Sequence, residues 1–364
     1  MKTGKTLAEL GAELDRQITA KRDFIAPQGK LTAVVDDGGN IGLDGLNGSL
    51  VGIENHAHRQ LADHLGIPQK YYETMRAQQP DLLTRNINTW LHAAPADQRM
   101  VRTLDGRMRA FMSPKYRPLD NYDLGNAVLP TLIERGVHVL SAELTETRMY
   151  IKGILPNLSE PEPAGGTWGQ GHVIMRDSRL VAAVVISNSE VGNGALRIEP
   201  SVFTTRCTNL AIVAAAAMKK YHVGRAFDAD AENFEVYRDE TRKADDAAFW
   251  MKVRDVTVAA FAEEKFQAAI ASIRGAQGEL ITSVDLPKVV EIATRQLNLP
   301  QTMGNSILTC LAKNGDLSKW GLSSAVTETA NAWADYEGAT DLERAGGQVL
   351  ALNPRDWKAI AEAA

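Results

Sequence analysis

Residues 99–118 read RMVRTLDGRMRAFMSPKYRP, and this stretch decides the fold class. Asp105-Gly106 is the strongest short signal for a two-residue hairpin, because both residue types tolerate the positive φ such a turn demands. It separates two alternating arms, 100–104 and 107–112, so antiparallel strands are expected here. On the second arm Arg107, Arg109 and Phe111 are expected on one face, with Met108, Ala110 and Met112 on the other. Pro114 and Pro118 hold the SPKYRP connection extended, and Asn121 or Asp123 caps an expected helix through Leu132.

The same window inverts the charge of the chain. The whole sequence carries a formal charge of -5, yet Arg99, Arg102, Arg107, Arg109, Lys115 and Arg117 stand here against Asp105 alone. Cations interleaved with Phe111 and Tyr116 meet two needs of a single-stranded nucleic acid, neutralised phosphates and a platform for stacked bases.

Outward from the window, a short N-terminal helix precedes expected strands at 31–35 and 50–53, which flank the glycine-rich loop DDGGNIGLDGLNG. Helices are expected at 57–65 and from Pro68 onward, a pair separated by Gly66 that looks like a helix-turn-helix, although its second helix lacks a basic face. From Thr147 the strand pattern returns, with Arg148, Tyr150 and Lys152 on one face and Met149 and Ile151 on the other. The loop PNLSEPEPAGGTWGQG follows, then an apolar strand at 180–187, the turn SEVGNG and a long strand at 195–207 bent at Pro200. Residues 208–221, rich in alanine, are expected to form a helix packed on the sheet. Beyond residue 229 the pattern is charged and helical, with one helix opening near Ser283 and Pro287 in its first turn, and a short closing helix at 351–364.

Length and composition exclude several classes. With 364 residues and 44% hydrophobic content the chain can bury a substantial core. The opening MKTGKTLAELGAEL lacks the apolar centre of a secretory signal, and the longest apolar run, 210–218, is far shorter than the roughly 20 residues of a membrane span. Cys207 and Cys310 are distant and fit reduced cytosolic thiols. His56, His58 and His64 lack the spacing of metal ligands on one helix face, and neither a phosphate-binding loop, a dinucleotide fingerprint nor a nucleophile elbow occurs. Glu143, Glu146 and Asp177 are the carboxylates that could hold Mg2+ for nuclease chemistry. Cys207 beside Arg206 reads as a small buried residue.

The segments AHRQLADHLGIPQKYYETM, RAFMSPKYRPLDNYDL, ISNSEVGNGALRIEPSVFTTRCTNLAI, WGLSSAVTETANAW and DLERAGGQVL resemble, in order and spacing, the phage- and plasmid-related proteins grouped as domain of unknown function, family 932. The resemblance runs from about Ala57 to Leu350 and departs at Leu210, where members often carry glycine. It implies a gene of mobile elements with a part in handling DNA. At the level of fold, the order strand, loop, strand, turn, bent strand and helix over 147–221 is similar to the core of Rad52-like single-strand annealing proteins.

The expected fold is therefore α+β. An antiparallel, strand-rich core of β-hairpins, closed by a packed helix, precedes a helical C-terminal domain. The expected parts are an N-terminal α/β region (1–80), an α+β core with basic strand faces (81–228) and the helical domain (229–364). The expected function is single-stranded DNA binding and strand annealing by an oligomer. Arg102, Arg107, Arg109, Phe111, Lys115, Tyr116, Arg117, Arg148, Tyr150, Lys152, Arg197 and Arg206 are the expected contacts. Expected partners are single-stranded DNA, further copies in a ring or filament, and a protein docked on the C-terminal helices. No membrane, cofactor or catalytic residue is expected, and the location expected is cytoplasmic. The alternatives are a metal-dependent enzyme acting on nucleic acid or nucleotides and a defence or anti-defence assembly protein.

Overall fold

Thr6 starts the first helix with a reciprocal cap: its side chain accepts from the Glu9 backbone N–H while the Glu9 carboxylate accepts from that of Thr6. The computed structural model describes residues 1–46, 48–162, 178–205, 208–213, 218–220 and 239–363. After helix α1 (Leu7–Ala20) come strands β1 (Arg22–Pro27), β2 (Thr32–Val35), β3 (Ile41–Asp44) and β4 (Val51–Ile53), then helices α2 (Asn55–His64), α3 (Gln69–Gln78) and α4 (Pro80–Leu91). Strands β5 (Gln98–Leu104) and β6 (Arg107–Met112) form the expected hairpin. Asp105 and Gly106 turn it with φ of 52° and 74°. The first sheet has the order β1-β5-β6-β4-β3-β2, antiparallel except for the β4–β6 pair. It runs through the boundary expected at residue 80. Its core joins Leu43, Val51, Ile53, Val101 and Phe111 to Leu61 of α2 and Ile87 of α4.

One detail of the hairpin corrects the expected faces. Arg102 lies opposite Ala110 but Thr103 lies opposite Met108, so Arg109 is the extra residue of a bulge. Met108 and Phe111 consequently enter the same core, while Ala110 and Met112 enter a smaller one with Val191. Strict alternation would have set Arg107, Arg109 and Phe111 side by side; the bulge separates them.

The second half opens with α5 (Asn121–Glu134) and a meander of β7 (His138–Leu144), β8 (Met149–Pro161), β9 (Arg179–Asn188) and β10 (Leu196–Thr204). Short strands β11 (Asn209–Ala211) and β12 (Met218–Lys220) both pair with β10. The helix expected over 208–221 is therefore absent among the described residues of that span, where 209–211 and 218–220 are strand instead. Leu210 and Ile212 fill an apolar cluster with Val181, Val185 and Phe203, and this burial overrides the helical preference of the alanines.

Helices α6 (Asp239–Ala260), α7 (Glu263–Gly278), α8 (Leu286–Gln296), α9 (Gly304–Asn314), α10 (Lys319–Thr329), α11 (Tyr336–Leu350) and α12 (Pro354–Ala361) complete the chain. Asp285 caps α8, with Pro287 in its first turn. One face of the second sheet packs on residues of α1, α5, α6 and α7 in a shared core. The helix closing the sheet is thus supplied by these elements. Residues of α8 to α12 build a separate helical core, and α11 also lies on the other face of the second sheet.

Candidate functional site

The carboxylates that meet the basic window come from elsewhere in the chain. Arg102, with no exposed surface, donates to both Asp23 oxygens at 2.8 and 2.9 Å, to Asp120 at 2.7 Å and to the Glu190 carbonyl at 2.7 Å. Arg109 pairs with buried Glu190 at 2.5 Å, and that carboxylate also accepts from the Asn121 backbone N–H at the start of α5. Arg107 pairs with Glu54, Arg117 with Asp245 and Asp246, and the Tyr116 hydroxyl donates to the Ser189 carbonyl at 3.1 Å. Burial alone would raise the Asp120 carboxyl, but Arg102 and Lys21 outweigh it and hold it at about 2.

The expected solvent-facing surface is corrected accordingly. Arg102 and Arg109 are buried in ion pairs because the β9–β10 turn, carrying Glu190, seats against the first sheet; Phe111 belongs to the apolar core. Lys115 is the cation of this window that is exposed and has no ion pair with a described residue.

The second group comes together on one face of the second sheet. Strand register places Glu143, Tyr150, Ser187, Arg197 and Lys219 in one row, and Ser141, Lys152, Val185 and Glu199 in the next. Helix α11 covers part of this face. Lys152 and Glu343 form an ion pair at 2.6 Å with neither side chain exposed, and the Lys152 ammonium also lies 4.4 Å from the Tyr336 ring centroid. Burial pushes the lysine pKa down and the glutamate up, and their mutual attraction opposes both shifts. Tyr150 is buried against Tyr336. Tyr150 and Lys152 are thus corrected from exposed contacts to packed ones.

Of the expected contacts on this face, Arg148 and Arg197 are half-exposed. Each has a buried Nε–H without an acceptor among the described residues. Arg197 otherwise reaches Glu199 only at 3.7 Å, while Glu199 is held by Arg344 at 2.8 Å. The Arg148 guanidinium lies against Gly194, where a Cβ would come within 2.5 Å of Nη2. Arg206 lies outside the described residues.

A polar cleft of about 540 Å³ opens beside this face, lined among others by His56, Arg59, Glu146, Asn193 and Glu337. Its carboxylates are committed. Glu146 accepts from the His56 backbone N–H at 2.6 Å, and Glu337 accepts from Thr145 and Thr147. Burial lowers the His56 pKa, and its Nε2–H donates to the Val191 carbonyl at 2.9 Å. Glu143 pairs with Lys5 at 2.5 Å, while Asp177 and Cys207 lie outside the described residues. Among the described residues no group of His, Cys, Asp or Glu is placed to hold a metal ion, and no helix is long and apolar enough to cross a membrane. Arg148 and Arg197 belong to the expected contacts, but nothing local in the sequence marks them as the ones that stay half-exposed. Compared with protein-family models, curated proteins and solved structures, the chain finds no match.

Proposed function

We propose that this chain binds single-stranded DNA and promotes pairing of complementary strands, acting in the cytoplasm as an oligomer encoded by a phage or plasmid. The observation that carries this reading is the pair Arg148 and Arg197, two half-exposed guanidiniums of one sheet face whose Nε–H groups lack acceptors among the described residues. A buried donor without an acceptor costs about 1–3 kcal/mol, and a phosphate oxygen removes that cost with a charge-assisted bond. The antiparallel meander β7–β10 on which they stand, packed on helices along its opposite face, supports the same reading, as does the sequence resemblance to mobile-element proteins. The test is pairing of two complementary oligonucleotides, one labelled, with and without protein at low salt. Acceleration accompanied by a mobility shift of the single strand is expected; neither pairing nor binding at low salt would overturn the proposal.

A further inference from the structure

His58, at 2% exposure, lines a cavity of about 470 Å³ between the first sheet and α3, together with Arg76, Arg107, Glu73 and Asp36. Its Nδ1 lies 2.8 Å from the hydroxyl of fully buried Tyr72. That hydroxyl has no other partner among the described residues, so accepting from His58 would strand its own O–H. The hydroxyl therefore donates to Nδ1, and a neutral ring carries its proton on Nε2. The imidazole is neutral: burial, then the charges of Arg76 and Arg107, push its pKa down to about 3. Nε2–H is thus a fixed donor with no acceptor among the described residues.

The two guanidiniums keep donors in reserve. Arg76 spends N–H groups on Asn55 at 2.8 Å and Glu73 at 3.3 Å, and Arg107 on Glu54 and the Ile53 carbonyl, which leaves each about three of its five. Gly52 makes room for Arg107, since a Cβ there would lie 2.6 Å from Nη1.

We propose that this cavity is a phosphomonoester site, with Arg76, Arg107 and the His58 Nε2–H as its donors and room for a ligand of mononucleotide size. It is distinct from the Arg148–Arg197 face, and it does not depend on strand binding.

The site is tested by titrating full-length protein with inorganic phosphate, adenosine 5′-monophosphate and adenosine while following the His58 imidazole nitrogen resonances. Phosphate and the monophosphate are expected to shift Nε2, and adenosine to leave it unmoved. A short oligonucleotide with a 5′-phosphate, set against its unphosphorylated twin, tells a strand end from a free mononucleotide, and a shift from either source supports the site. Arg76→Gln and Arg107→Gln, both at partly exposed side chains, are each expected to weaken monophosphate binding at least about tenfold, the order of one charged hydrogen bond. An Nε2 resonance unmoved by millimolar phosphate and monophosphate, equal binding of adenosine, or unchanged affinity in both variants would overturn the proposal.

Discussion

Arg102 and Lys152 have no exposed side-chain surface, and they occupy the interior for a common reason: each is matched there by carboxylate. Removing one partner of such a pair leaves an uncompensated charge, at a cost of about 3–5 kcal/mol, whereas replacing both by apolar groups is often neutral. Lys152→Met is therefore expected to lower unfolding free energy by that order, and Lys152→Met with Glu343→Leu to recover most of it. Denaturant titration of both variants checks this, and equal losses would mean that packing rather than charge dominates. Composition revealed the cationic excess at 99–118 but could not reveal its partners. Asp23, Glu54, Asp120, Glu190, Asp245 and Asp246 lie outside the window and reach it only through folding.

Among elements, the hairpin was legible because Asp-Gly chemistry is local, and the structure confirms its positive-φ turn. Gly106→Ala is expected to cost about 1 kcal/mol, since a side chain there meets strain but no neighbour. The bulge at Arg109 and strand β11 were not legible, because both are settled by packing across long sequence separations. Gly347 shows the second case: a Cβ would lie 1.8 Å from the Ile212 carbonyl oxygen, so α11 can approach the strand end only as glycine. Gly347→Ala is expected to cost about 1–3 kcal/mol through overpacking. Thermal unfolding of the two variants should rank Gly347→Ala as the more destabilised; the reverse order would deny the close approach a structural role.

Across the whole molecule, the β9–β10 turn ties the sheets together through Glu190, Arg102, Arg109 and Asp120. This arrangement sets the response to acid. His56, His58 and His64 all have lowered pKa values, chiefly through burial. The unfolded chain thus binds protons first, and stability is expected to fall as pH drops below about 6.5. Asp120 has the opposite logic: its contribution is complete above its ordinary value of 3.8 and is lost as pH falls towards about 2. Chemical denaturation at a series of pH values should therefore show a decline in two stages; stability unchanged between pH 7 and 4 would contradict the buried histidine states. Self-association follows from the proposed function, and sedimentation showing a monomer both with and without oligonucleotide would remove the ring or filament from it. The measurement that bears most directly on strand binding is the salt dependence of affinity for an oligonucleotide without terminal phosphates in Arg148→Gln/Arg197→Gln, with Arg107→Gln/Arg117→Gln as the comparison. The account predicts that the first pair lowers the slope of log affinity against log salt by about 1.4, near 0.7 per phosphate contact, while the ion-paired second pair leaves it unchanged. A slope lowered only by the second pair would contradict it.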